Sequence, residues 1–155
     1  MDKDNEIIIL IKEFDQLQKK MDSIYNKLAK SSGLSDTAFW IIYTIKNEKE
    51  TYKQKDLCNM WFYSKQTINS ALKKLEEQDI INLISVNENR KDKKVILTEC
   101  GKQLAKELIE PVIEIEKKSL ENIEKRREFL KLFKKYIETM EEETNEFIKN
   151  KKEEI

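Results

Sequence analysis

The chain contains no histidine, one proline, two glycines and two cysteines, and only three of its thirty cationic side chains are arginine. Each shortage excludes something. Without histidine there is no side chain that exchanges protons near neutral pH and no imidazole to bind zinc. Cys58 and Cys100 stand apart with no CxxC spacing, which argues against a disulfide framework or a thiolate metal site and leaves two reduced, buried packing residues as the expectation. No glycine-rich run is available to cradle a phosphate. The expected protein is therefore no enzyme and carries no metal or cofactor. The apolar run Ile7 to Ile11 is too short for a membrane span or a signal sequence and follows an acidic opening, so the expected location is the cytoplasm, away from any membrane.

So few glycines and prolines also leave little to interrupt helices. With 155 residues, a single domain with a real core is expected. Charged residues make up 39% of the chain, against roughly 25% in an average soluble domain. Acids and bases balance to zero net charge, so only local clustering can point to nucleic acid.

Hydrophobic spacing divides the sequence into segments. Ile7, Ile11, Phe14, Leu17, Met21, Ile24 and Leu28 recur by threes and fours, one face of a helix over about residues 6–30. Gly33 supplies a left-handed stop, and Ser35 or Asp36 caps a second helix carrying Phe39, Trp40, Ile42, Tyr43 and Ile45. Asn47 to Thr51 reads as a loop. A short helix through Asp56, Leu57 and Met60 ends at a tight connection, Trp61-Phe62-Tyr63, and Ser64 then caps another helix by accepting from the backbone near Thr67. In that helix Ile68, Ala71, Leu72 and Leu75 point inward, leaving Lys65, Gln66, Asn69, Ser70, Lys73 and Lys74 outward.

Ile80 to Val86 and Lys94 to Thr98 are β-branched and partly alternating, with the polar run Asn87 to Lys93 between them, so they form a hairpin with a basic tip. Thr98 caps a helix through Leu104, Leu108, Val112 and Ile115, with a kink expected at Pro111. A last helix carries Phe129, Leu130, Phe133, Tyr136, Ile137, Met140 and Phe147, and the Lys/Glu-rich tail from Lys149 to Ile155 is expected to fray. The fold class is mainly α with a small β-hairpin, a winged helix-turn-helix.

Two of these elements can read DNA. The major groove admits one helix and displays a distinct donor and acceptor pattern for each base pair. Gln66 or Asn69 can pair with adenine, Thr67 can touch a thymine methyl, and Lys65, Lys73 and Lys74 can neutralise phosphates, although a plain solvated face would look similar. Local charge favours the DNA reading. Lys53 to Lys74 carries +4 and Arg90 to Lys94 carries +3, while Glu138 to Glu146 is strongly acidic. Arg90, the only arginine before position 126, falls at the hairpin tip, where a narrow minor groove favours a guanidinium.

The stretches Gln54-Lys55-Asp56-Leu57, Ser64-Lys65-Gln66-Thr67-Ile68-Asn69, Leu72-Lys73-Lys74-Leu75-Glu76-Glu77 and Leu97-Thr98-Glu99-Cys100-Gly101, with Gly33-Leu34-Ser35 before them, resemble the MarR family in order and spacing. The resemblance implies a homodimer whose terminal helices intertwine, a recognition helix starting near Ser64, and a wing that enters the minor groove. It divides the chain into helical dimerisation regions at 6–32 and 102–148 and a DNA-binding region at 35–100. It further implies a transcriptional regulator, most often a repressor on a pseudo-palindromic operator, released by a small lipophilic or aromatic effector. Met21, Tyr25, Trp40 and Tyr43 are the candidate effector pocket, although such a stripe also suits plain core. Where family members often carry Asp-x-Arg in the wing, this chain reads Asn89-Arg90-Lys91, so the minor-groove role passes to Arg90 or Lys91. Asp79 stands where glycine is common after the recognition helix; aspartate tolerates left-handed geometry, at some cost.

The large apolar residues of the terminal helices also call for a partner chain, since burying them releases about 25 cal/mol per Å². An intramolecular helical bundle is the alternative to a dimer. At the level of function the alternative is a winged-helix module that binds proteins and not DNA, because fold does not fix function.

Overall fold

The computed structural model describes residues 3–46, 52–85 and 93–153. Its elements run α1 (Lys3–Ser31), α2 (Asp36–Ile45), β1 (Tyr52–Lys53), α3 (Gln54–Trp61), α4 (Lys65–Glu77), β2 (Ile81–Ser85), β3 (Lys93–Leu97), α5 (Glu99–Glu121) and α6 (Arg126–Glu153). Two compact units appear, Met1–Val112 and Ile113–Ile155. Among the described residues no helix is long and apolar enough to cross a membrane.

Helix ends follow local chemistry. Gly33, at φ +70°, closes α1: its amide bonds to the Lys30 carbonyl and that of Leu34 to Ala29. The same paired closure ends α4, where Asp79 N–H reaches the Glu76 carbonyl and Ile80 N–H reaches Leu75. Asp79 takes φ +57°, so the residue standing in for glycine does adopt the left-handed conformation. Asp79→Gly is expected to raise stability by about 0.5–1 kcal/mol, read as a higher denaturant midpoint; a lower midpoint would contradict the strain assigned to Asp79. Ser35 caps α2 through the Ala38 amide, 3.2 Å away, and Ser64 caps α4 through the Thr67 amide at 3.1 Å.

The core of the first unit gathers Phe39, Ile41, Ile42, Leu57, Ile68, Leu75, Ile81 and Ile109, all nearly inaccessible to solvent. These come from α2, both helices of the α3–α4 pair, β2 and α5. The sheet has three strands in the order β1-β3-β2, all antiparallel. The expected hairpin is there, with Ile81 opposite Leu97 and Ser85 opposite Lys93. The two-residue strand β1 is an addition, pairing Tyr52 with Val95 and Lys53 with Lys94 and so tying the start of α3 to the wing.

Three sequence expectations need correction. α5 turns Gly101, Ala105, Ile109 and Val112 inward, leaving Leu104 and Leu108 half-buried and Ile115 exposed. Its rotation is set by Gly101, where an added Cβ would lie 2.0 Å from the Ile80 carbonyl oxygen. As expected, the helix runs on through Pro111, to Glu121. Beyond Lys149, where fraying was expected, α6 continues to Glu153, with Lys151 over the Phe147 ring at 5.8 Å and Lys151 and Lys152 in the last turn, where cations complement the helix dipole. Finally, neither thiol is buried: Cys58 is half-exposed and Cys100 lies exposed on the first turn of α5.

Candidate nucleic-acid interface

α4 is amphipathic in the strict sense. Ile68, Ala71, Leu72 and Leu75 occupy one arc and are buried, while Lys65, Gln66, Thr67, Asn69, Ser70, Lys73 and Lys74 occupy the other and are exposed. Eight of the ten expected DNA-contacting residues, these seven and the cap Ser64, therefore share one solvent-facing surface. The remaining two, Arg90 and Lys91, lie outside the described residues, as does the loop expectation at Asn47 to Thr51. Lys73 leans toward Glu77 at 3.8 Å, an exposed pair that contributes little and yields readily to a phosphate.

The supports of α4 come from the connection before it. Trp61, Phe62 and Tyr63 part company. Trp61 turns inward, stacks on Trp40 with ring centroids 4.4 Å apart, and donates from Nε1 to Thr44 Oγ1 at 2.7 Å; Thr44 Oγ1 in turn donates to the Trp40 carbonyl. That satisfies the only buried polar side chain among the described residues. Phe62, at φ +55°, points out and is 94% exposed, an expensive arrangement for an aromatic residue in the left-handed region.

Tyr63 turns back and donates its hydroxyl to Asp36 Oδ2 at 2.6 Å, pinning the start of α4 to the start of α2. Burial, then the hydrogen bond and negative charge of Asp36, push the Tyr63 pKa up from 10.0 to about 12. A phenol whose folded pKa is raised stabilises the fold fully below its unfolded pKa, and that contribution is lost as pH climbs from 10.0 to about 12. Tyr63→Phe should accordingly flatten this alkaline loss in denaturation curves recorded across that window. A variant that loses stability as steeply as the parent there would refute the clamp.

At the far end of α4, Thr98 joins three pieces. Its amide bonds to the Ile80 carbonyl, its hydroxyl donates to the Asp79 carbonyl at 2.5 Å, and the same oxygen accepts from Gly101 N–H at 3.0 Å. The turn that ends α4, the end of the wing strand β3 and the first turn of α5 are thus held at one hydroxyl. The motif Leu97-Thr98-Glu99-Cys100-Gly101 has this physical meaning: a cap at Thr98 and a close backbone approach at Gly101.

Sequence reasoning missed several members of this surface. Lys53 and Lys94 sit directly opposite each other on β1 and β3, next to exposed Lys93, so like charges that would repel on a ladder are brought to the root of the wing. Both lysines were visible in the charge count, but a two-residue strand leaves no periodicity to reveal their pairing. Phe62 gave only a turn signal.

The three aromatic residues of the expected effector pocket lie near one another, and Met21 stands one helical turn before Tyr25 on α1. Tyr25 and Trp40 rings lie 4.8 Å apart and Trp40 and Tyr43 5.3 Å apart, and Trp61, not foreseen, completes the cluster; Met21 is exposed. A shallow cleft of about 240 Å³ opens elsewhere, over Leu97 and Ala105 and between Lys46, Lys102, Lys106 and Glu110.

Residues 32–93 match the model of the MarR family. No curated protein matches the chain. Among solved structures it is similar to NMB1585, a MarR family regulator from Neisseria meningitidis, at 26% identity and TM-score 0.68, over 85% of this chain and 95% of that one. It is also similar to a MarR family transcriptional regulator from Listeria monocytogenes complexed with a 26mer DNA, at 21% identity and TM-score 0.64, over 86% of this chain and 87% of that one. NadR in complex with 4-hydroxyphenylacetate aligns at 20% identity and TM-score 0.65, over 83% and 89% of the two chains.

Proposed function

We propose, from the match of residues 32–93 to the MarR family model, that the protein is a transcriptional repressor that binds double-stranded DNA as a homodimer in the cytoplasm. The observation that carries this reading is the exposed arc of α4, where three lysines and four small or amide-bearing polar residues stand on one side of a helix whose other side is core. A helix of this kind fits the major groove, with Gln66, Thr67 and Asn69 at base edges and Lys65, Lys73, Lys74 and Ser64 toward the backbone. In the same reading Arg90 and Lys91, which fall between β2 and β3 in the sequence, take the adjacent minor groove.

Dimerisation supplies the second half of the grip. In α1, Ile7, Ile11, Leu17, Met21 and Ile24 are about half exposed; in α6, Phe129, Leu132, Met140 and Phe147 are at least as open, Phe147 reaching 65%. Stripes of this extent on single helices are what a partner chain covers. A two-fold pair would carry its recognition helices about 34–36 Å apart, one helical turn of a pseudo-palindromic operator. The regulation proposed is release by a small aromatic or lipophilic effector seated at the Tyr25–Trp40–Tyr43 cluster with Met21 at its edge; NadR with its bound 4-hydroxyphenylacetate supports the class of ligand.

Fluorescence anisotropy of a labelled duplex, titrated at several salt concentrations, tests the DNA reading. Binding that weakens steeply and log-linearly with salt is expected. No binding at low salt would leave instead the reading of a winged-helix module that contacts proteins.

A further inference from the structure

Asn69, at the centre of the exposed arc of α4, is not a free amide. Gln54, the first residue of α3, donates from Nε2 to Asn69 Oδ1 across the two helices. The bond matters because asparagine reads adenine only when its oxygen and its amide nitrogen both face the base, the oxygen accepting from N6 and the nitrogen donating to N7. With its oxygen turned toward α3, Asn69 offers the groove chiefly its Nδ2 hydrogens. Gln54 itself is held in place by its position: the preceding Lys53 is fixed on β1 by pairing with β3, and its amide is capped by Asp56 Oδ2 at 2.7 Å.

Resting on the DNA-binding reading above, we propose that Gln54 is a positioning residue that converts Asn69 from an adenine reader into a hydrogen-bond donor selecting bases whose acceptors stand without an opposing donor, guanine or thymine. Guanine offers O6 and N7 and thymine offers O4 in the major groove, whereas adenine sets its N6 donor beside the N7 acceptor and cytosine presents a donor. The specificity of the recognition helix is thereby set in part by a residue of the helix before it. Exchanging Gln54 changes which base is preferred without touching Asn69.

In vitro selection from random duplexes by the full chain tests this, with three variants. Asn69→Ala identifies the base position Asn69 reads, as the position where preference disappears. At that position the parent should favour guanine or thymine over adenine by roughly fivefold to tenfold. Gln54→Glu keeps the size and the acceptor but removes the donor, so the Asn69 amide turns over, its oxygen faces the groove, and preference should swing toward adenine or cytosine. Gln54→Ala frees the amide and should favour adenine. Because Gln54 lies partly exposed on a first helical turn, neither change threatens the fold. A parent preference for adenine, or one that survives both Gln54 changes, overturns the proposal while leaving DNA binding intact, as does an Asn69→Ala variant with unaltered selection. Failure of the parent to enrich any duplex overturns the function proposed above along with it.

Discussion

Gly101→Ala is expected to cost the fold about 3 kcal/mol or more, the largest single-residue effect in the first unit. The added methyl would meet the Ile80 carbonyl oxygen at 2.0 Å and its carbon at 3.0 Å, with the Leu97 side chain at 3.1 Å. Two of those three atoms are backbone, and that backbone is itself fixed: Ile80 accepts from Thr98 N–H, and its own amide closes α4 on Leu75. Nothing nearby can give way cheaply. Relief requires α5 to lift off the core, taking Ala105, Ile109 and Val112 with it. Urea denaturation reads the effect as a lowered midpoint, or as a chain that fails to fold. A midpoint close to the parent's would mean that α5 does not pack as tightly as described.

The second large effect falls on DNA binding. Lys65→Ala combined with Lys74→Ala removes two exposed cations from the arc of α4 without altering its buried side. Each phosphate contact contributes about 0.9 to the slope of log affinity against log salt, so the pair should lower that slope by about 2 per subunit and about 4 in a dimer. Affinity near 0.1 M salt should fall on the order of 100-fold or more, uniformly across sequences, since phosphate contacts carry no base information. Denaturation midpoints should stay near the parent's, separating this loss from unfolding. An unchanged slope would place the protein's positive contacts elsewhere.

How much of this was legible in the sequence depended on the range of the interaction responsible. Caps and stops act within a turn, so Gly33 and Ser64 marked their helix ends and Ser35 or Asp36 the start of α2, which Ser35 caps, and the period of Ile68, Ala71, Leu72 and Leu75 gave both faces of α4. Features set by distant partners were hidden. The facing of α5 is decided by the Ile80 carbonyl against Gly101, so the largest side chains, Leu104 and Leu108, were a poor guide to it. Strand β1 exists because β3 offers it an edge, and the division of Trp61, Phe62 and Tyr63 among three directions follows from Trp40, Thr44 and Asp36. The Lys/Glu tail gave a composition signal for fraying, while cations in its last turn and the Lys151–Phe147 contact favour helix.

For the candidate site the same division holds. The polar arc of α4 was readable because it is the complement of an apolar stripe, and no long-range knowledge is needed to see it. The Gln54–Asn69 bond spans two helices and the Lys53–Lys94 pairing two strands, so neither could be read from spacing alone. Sequence alone made Gln66 or Asn69 the candidate reader of adenine; the bond of Asn69 to Gln54 argues for a different base opposite Asn69.

A hydroxyl-radical footprint of the full chain on a selected duplex tests the central claim most directly, since it reports the number and spacing of grooves occupied. Two protected windows about 10–10.5 base pairs apart on one face of the duplex are expected from paired recognition helices. A single window, or protection spread evenly without helical phase, would contradict a two-fold grip through α4.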